Sequence, residues 1–206
     1  MNFLAHAYLS FKDPDILAGN MISDYIKGKK QYDYSFRIHQ GILLHRAIDS
    51  YTDSHQAVKK AKEVFKDAYR LYSGAFTDIA FDHFLAIDKN EFPYGTLEKF
   101  TLSVYESLER SFPALPPVFQ QLFPYMKKQN WLYNYGTAEG IERSFRGLTH
   151  RAKYINESNS AIEVFHKHYL FLDECYRVFF PELKSHALGI YTSFDTASVP
   201  VSKRNP

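Results

Sequence analysis

The chain has 206 residues, and 25 Lys and Arg against 23 Asp and Glu give a formal charge of +2. That near-neutral balance disfavours a general polyanion binder, so no nucleic-acid partner is expected. No apolar run approaches the ~20 residues that span a bilayer, so no membrane segment is expected either. A single cysteine cannot form an internal disulfide and fits a reducing compartment, which predicts a cytoplasmic protein.

Helical periodicity dominates the chain, without a convincing series of alternating strands. Asp13 followed by Pro14 predicts a helix start, because an aspartate cap and a proline in the first turn are both favoured there. Helices are predicted, in chain order, over residues 14–25, 34–51, 54–69, 78–87, 96–112, 118–132, 138–153 and 160–178. Pro181 is expected to interrupt the last one. The predicted architecture is one all-α, multi-helix domain over residues 1–192 with a loose tail at 193–206.

The first chemical signal is a histidine and a carboxylate on an otherwise apolar helix face. His45 and Asp49 lie one turn apart, so their side chains share that face. Burying an unpaired charge is costly, and a divalent metal ion is one partner that removes the cost. The alternative is an ion pair between Arg46 and Asp49 beside a hydrogen-bonded core histidine.

The second signal is a pair of acidic residues one turn apart, Asp78 and Asp82. Like charges at this spacing repel, and the face through Asp82 is otherwise apolar, so a cation between them is one explanation. For Asp78 the alternative is stabilisation of the helix N-terminus, where an anion complements the dipole. His83 lies beside Asp82 in sequence and is a candidate ligand, carboxylate partner or base.

The third signal lies near the N-terminus, where His6 and Asp24 occur among apolar residues. A lone histidine of this kind is also compatible with a hydrogen-bonded core position. Taken together, the three segments offer nitrogen and oxygen ligands for a hard or borderline divalent ion. The lack of cysteine partners excludes a zinc site built from thiolates.

These segments resemble a known family. Residues 1–6, 19–28, 41–55 and 82–86 together resemble the acyl carrier protein phosphodiesterases, also called acyl carrier protein hydrolases. The most specific element is the run His-Arg-x-x-Asp-x-x-Thr-Asp-x-His, which begins at His45. The sequence departs from the pattern in two places: its adjacent pair is Asp82-His83, in inverted order, and Asn20 stands where many relatives carry an acidic residue.

The resemblance implies an HD-like helical phosphodiesterase that depends on a divalent metal, typically manganese, with magnesium as an alternative. Such enzymes remove the 4′-phosphopantetheine arm from the serine of holo-acyl carrier protein and leave the apo form. The expected metal ligands are Asp24, His45, Asp49 and Asp82, the expected catalytic residues are His6, His83 and Arg46, and the expected substrate-binding residues are Lys27, Arg143 and Arg146. In this hypothesis His6 or His83 protonates the leaving oxygen, and Arg46 and Lys27 bind the phosphate. Arg143 and Arg146, on a predicted helix, bind the acidic carrier protein.

Two other functions remain open at this point. HD-like sites also hydrolyse nucleotides, so a nucleotide phosphohydrolase is the second enzyme hypothesis. A non-catalytic helical binding module is the third, although a site without activity has no need for clustered carboxylates.

Overall fold

The computed structural model describes residues 1–151 and 161–196. These residues form α-helices and short 3₁₀ segments without a strand, which confirms the prediction of an all-α fold. The helices are α1 (Phe3–Tyr8), α2 (Pro14–Ile22), α3 (Phe36–Ser54), α4 (Gln56–Tyr69), α5 (Ser73–Ile87), α6 (Thr96–Arg110), α7 (Pro117–Lys128), α8 (Trp131–Asn134), α9 (Ala138–Arg151), α10 (Ala161–Lys167) and α11 (Tyr169–Thr196). None of them is long and apolar enough to cross a membrane.

Local capping explains where the early helices begin. The Asp13 carboxylate accepts hydrogen bonds from the backbone N–H groups of Asp15 and Ile16, both at 3.0 Å, with Pro14 in the first turn of α2. The Ser35 hydroxyl caps α3 in the same way. Side-chain caps of this kind satisfy backbone donors that have no partner inside the helix.

The C-terminal helices differ from the prediction. One helix was predicted over residues 160–178, with an interruption at Pro181. The structure has two helices in this region, α10 and α11, and α11 continues through Pro181 to Thr196. A proline removes one backbone donor, and the burial of neighbours such as Phe180 and Leu183 holds the helix on both sides of it. The predicted tail therefore begins inside α11. The predicted cap Ser160 and residues 197–206 lie outside the described part of the chain.

Two glycines let α2 and α3 cross in backbone contact. A Cβ atom on Gly19 would lie 2.0 Å from the carbonyl oxygen of Ile38, and one on Gly41 would lie 2.3 Å from that of Ile16. No side chain larger than hydrogen fits at either position. The close crossing places Asn20 of α2 directly against the face of α3 that carries His45.

The short helix α1 is anchored to α5 by backbone hydrogen bonds. The fully buried Asp82 carboxylate accepts hydrogen bonds from the backbone N–H groups of Asn2 (3.2 Å), Leu4 (2.7 Å) and Ala5 (3.4 Å). The Met1 amino group pairs with the Asp78 carboxylate at 3.1 Å. Asp78 and Asp82 of α5 thus both hold the N-terminal segment in place.

Candidate metal centre

Two distant segments contribute histidines to one small cluster. His6 Nε2 of α1 lies 3.2 Å from Asp49 Oδ1, and His45 Nε2 of α3 lies 3.0 Å from Asp49 Oδ2. The two imidazole rings stack with centroids 4.0 Å apart and planes 16° apart. One ligand atom from each of the three residues lies within 4.8 Å of the other two. The structure therefore brings His6 to the pair that helical spacing had placed together.

Asn20 orients both rings. Its side-chain Oδ1 lies 2.8 Å from His6 Nδ1, and its main-chain oxygen lies 2.8 Å from His45 Nδ1. The amide is itself fixed, because its Nδ2 donates to the His6 carbonyl oxygen and to Ser10 Oγ. Oxygen atoms of this kind only accept, so each Nδ1 carries a proton and each ring presents its Nε2 to Asp49.

This arrangement fits a divalent metal ion. Two ring nitrogens and a carboxylate face each other, and a cation between them balances the charge of the carboxylate. A second proton on both rings would make both positively charged, and rings stacked at 4.0 Å would then bring like charges into contact. One divalent ion satisfies both nitrogens and the carboxylate at once. Metal-bound histidines usually donate the proton of the other ring nitrogen to an oxygen acceptor, as Nδ1 of both rings does here.

The two histidines of the cluster have pKa values shifted in opposite directions. Burial lowers the pKa of His6 below 6.5, and the neighbouring charge of His45 lowers it further. Burial also opposes charge on His45, but hydrogen bonds to Asp24 and Asp49 outweigh it and raise the pKa of His45 to about 9. Although burial disfavours its charged form, Asp49 has a pKa well below the usual range because both histidines contact it. Without metal, the cluster holds one imidazolium and one neutral imidazole at neutral pH.

The cluster is open to solvent on the side of Asp24. The Asp24 carboxylate lies 3.2 Å from His45 Nε2, and its side chain is 74% exposed. Its hydrogen bond to His45 lowers the pKa of Asp24, so this carboxylate is ionised at neutral pH. Asp49, at 41% exposed, is also accessible. A macromolecular substrate can reach the cluster from this side.

Exposed basic side chains lie close in sequence to Asp24 and His45. Lys27, three residues after Asp24 in the sequence, is exposed. Arg46 follows His45 and is also exposed, and it donates a hydrogen bond to Gln31 Oε1 at 2.6 Å. The 3₁₀ segment Gly28–Asp33 adds the exposed Lys29 and Lys30.

Asp82 and His83 are placed elsewhere. Asp82 is engaged with the backbone of α1, and burial raises its pKa to about 7. His83 Nδ1 donates to the Tyr135 carbonyl oxygen at 2.7 Å, and its Nε2 lies 3.1 Å from the Tyr169 hydroxyl. Burial lowers the pKa of His83. Neither residue belongs to the His6–His45–Asp49 group.

Replacing Asp82 with alanine is expected to destabilise the fold. Three backbone N–H groups of the α1 segment, two of them buried, would lose their acceptor, and leaving such donors unsatisfied costs about 3 kcal/mol in the free energy of unfolding. Urea denaturation measures this loss. The exposed Asp67→Ala is the control and should change stability by less than ~0.5 kcal/mol. An Asp82→Ala protein of unchanged stability without activity would instead place this carboxylate in the chemistry.

The two arginines predicted to bind the carrier protein lie on α9. Arg143 pairs with Glu139 at 2.5 Å and Arg146 pairs with Glu142 at 3.1 Å, each one helical turn apart. Both arginines are exposed, and their glutamate partners reduce the positive charge of this face. Their role in docking remains a prediction.

The outer part of the His-Arg-x-x-Asp-x-x-Thr-Asp-x-His run supports the fold. Asp53 pairs with Lys62 at 2.7 Å. His55 Nδ1 accepts a hydrogen bond from the backbone N–H of Ala57 at the start of α4, and its Nε2 lies 3.3 Å from Glu182. Only the first half of the run, with His45 and Asp49, contributes to the cluster.

A family model described as acyl carrier protein phosphodiesterase matches residues 1–183. Curated relatives named acyl carrier protein phosphodiesterase include one from Yersinia pestis, 30% identical over 188 residues, which cover 91% of this chain and 97% of the relative. One from Photorhabdus laumondii is 29% identical over 188 residues, covering 91% and 95%, and one from Klebsiella pneumoniae is 30% identical over 184 residues, covering 89% and 95%. No solved structure gives a significant match.

Proposed function

Because the chain belongs to the acyl carrier protein phosphodiesterase family, we propose that it hydrolyses the phosphodiester bond between 4′-phosphopantetheine and the serine of holo-acyl carrier protein. The products are apo-acyl carrier protein and 4′-phosphopantetheine. The observation that carries the proposal is the convergence of His6, His45 and Asp49 at a solvent-accessible point. The family match spans all three residues. The proposed compartment is the cytoplasm, which suits a chain whose one cysteine is free.

The proposed cofactor is one divalent metal ion, manganese first and magnesium as the alternative. His6, His45 and Asp49 would hold it, with Asp24 as the nearest further carboxylate. His6, which was expected to donate a proton, would instead be a metal ligand. It takes the place of Asp82 in the expected ligand set. Such an ion supplies Lewis acidity and neutralises negative charge on the phosphoryl oxygens.

The chain's own residues account for the other requirements of the reaction. Asp24 is ionised and exposed, so it can accept a proton from the attacking water. Arg46 and Lys27 would bind the non-bridging phosphate oxygens, with Arg46 capable of two parallel hydrogen bonds. Water attacks phosphorus, the bond from phosphorus to the serine oxygen breaks, and the serine oxygen takes up a proton.

The surface that docks the carrier protein is proposed to be the basic border of the cluster. Acyl carrier proteins are acidic, and complementary charge guides such partners into register. Lys27, Lys29 and Lys30 are exposed beside Asp24 and have no acidic partner within the described residues. The α9 arginines, in contrast, each pair with a glutamate of their own helix.

Charge reversal distinguishes the two surfaces. The double variant Lys29→Glu/Lys30→Glu should raise the KM for holo-acyl carrier protein about tenfold and flatten its salt dependence, because a repulsive charge opposes docking. Lys59→Glu/Lys60→Glu on α4 is the matched control and should leave KM unchanged. Steady-state kinetics at two ionic strengths provide the measurement. A rise in KM for Arg146→Glu alone would move docking to α9.

The function itself is tested by mass spectrometry of holo-acyl carrier protein incubated with the protein and manganese. The expected result is loss of the phosphopantetheine mass from the carrier, prevented by a chelator. The same preparation is assayed for phosphate or pyrophosphate release from a nucleotide panel. An unmodified carrier together with nucleotide hydrolysis would replace the proposal with a nucleotide phosphohydrolase. Neither reaction, with no bound metal, would indicate a binding module.

A further inference from the structure

A cavity of about 400 Å³ lies between α1, α5, α7, α8 and α9. Its apolar walls come from Phe3, Ile79, Leu122 and Trp131. Amide side chains of Asn2, Gln129 and Asn134 also line it, and Arg143 lies at its edge. A volume of this size, mainly apolar with a few polar groups, is typical of a site for a small organic ligand.

The cavity is continuous with the segments that carry the cluster. Asn2 caps α1, and its carbonyl oxygen accepts the backbone N–H of His6 at 3.2 Å. Tyr25, another lining residue, directly follows Asp24. The short segments that carry His6 and Asp24 thus also contribute Asn2 and Tyr25 to the cavity.

We infer that the cavity holds the pantetheine arm of the substrate while its phosphodiester lies at the cluster. The inference rests on the proposed function. The arm is a linear chain with a dimethyl-substituted carbon, a hydroxyl group, two amides and a terminal thiol. The apolar walls suit its methyl and methylene groups, and the amide side chains suit its two amide bonds. The cavity thus provides affinity for the part of the substrate that the metal centre does not contact.

Two glycines provide a matched pair of variants. A Cβ atom on Gly147, which lines the cavity, or on Gly189 of α11 has no atom of the described residues within 4 Å beyond its chain neighbours and its own helix backbone. Both glycines lie inside helices, where replacing glycine gains helix propensity. Gly147→Leu adds a branched side chain to the lining of the cavity, whereas Gly189→Leu adds the same side chain at a position that does not line it. Gly147→Ala gives an intermediate degree of filling.

Trp131 makes direct binding measurable. It is the only tryptophan in the sequence and it lines the cavity, so the intrinsic fluorescence of the chain reports on this site. The full-length protein is titrated with free 4′-phosphopantetheine. We expect a saturable fluorescence change, with a dissociation constant raised about tenfold by Gly147→Leu, less by Gly147→Ala, and unchanged by Gly189→Leu.

Hydrolysis provides the second measurement. Gly147→Leu should lower kcat/KM for holo-acyl carrier protein about tenfold relative to Gly189→Leu, because the arm is excluded. If all three glycine variants bind and hydrolyse like the wild type, the cavity assignment is wrong while the proposed function stands. If the carrier is not hydrolysed but phosphopantetheine binding depends on Gly147, the proposed function is wrong and the cavity assignment stands. The absence of saturable binding by the wild type also overturns the assignment.

Discussion

Replacing Asp49 with alanine is expected to abolish metal binding and to lower kcat/KM about a thousandfold. Asp49 contacts Nε2 of both His6 and His45, and its loss removes the carboxylate that the two nitrogens share. A metal ion contributes several kcal/mol to a hydrolytic transition state, and about 4 kcal/mol corresponds to a thousandfold in rate. Calorimetric titration with manganese and kinetics with holo-acyl carrier protein measure the two losses.

The control for this variant is Asp53→Ala, one turn further along α3. Asp53 pairs with Lys62, and its side chain is 72% exposed, so its removal should leave both metal binding and turnover intact. Far-ultraviolet circular dichroism should show a helical fold for both proteins. An Asp49→Ala protein that retains metal and full activity would remove the cluster from the mechanism.

Asn20→Ala is expected to weaken metal binding by about 10- to 100-fold. The substitution removes the Oδ1 acceptor of His6 but keeps the main-chain oxygen that orients His45, so the effect falls on one ring. Because the ligands themselves remain, saturating manganese should restore most of the turnover. Titration of activity against metal concentration separates this behaviour from the loss caused by Asp49→Ala.

Ser10→Ala is the matched control for Asn20→Ala. It removes the hydrogen bonds that join the Ser10 hydroxyl to the Asn20 amide and to the His6 main-chain oxygen, and it leaves the ring contacts of both histidines in place. Its metal affinity should therefore stay close to that of the wild type. Equal affinities for Asn20→Ala and the wild type would show that the amide is not needed to orient His6.

Part of the cluster could be predicted from spacing alone. The helical period fixes His45 and Asp49 on one face, and the structure places them 3.0 Å apart. His6 lies far away in sequence, and no local pattern shows that α1 and α3 meet. The position of Asn20 depends on the close crossing of α2 and α3. Its only signal in the sequence is a polar residue inside an otherwise apolar helix.

Asp82 shows the limit of the argument from buried charge. The sequence indicated an acidic residue on a packing face and therefore a partner for it. The partners are backbone N–H groups of α1, which no side-chain pattern reveals. Pro181 shows a related limit for the fold, since the burial of its neighbours outweighs a local signal that usually ends a helix.

The anchoring of α1 has a consequence for the lifetime of the complete cluster. α1 has six residues, and isolated helices shorter than ~12 residues are marginal in water, so its contacts with α5 maintain it. Local opening of α1 withdraws His6, whereas α2 and α3 keep Asn20, His45 and Asp49 together. Such openings require less free energy than global unfolding. The fraction of time in which all three ligands are assembled is therefore set by the attachment of one short helix, and not by the stability of the whole domain.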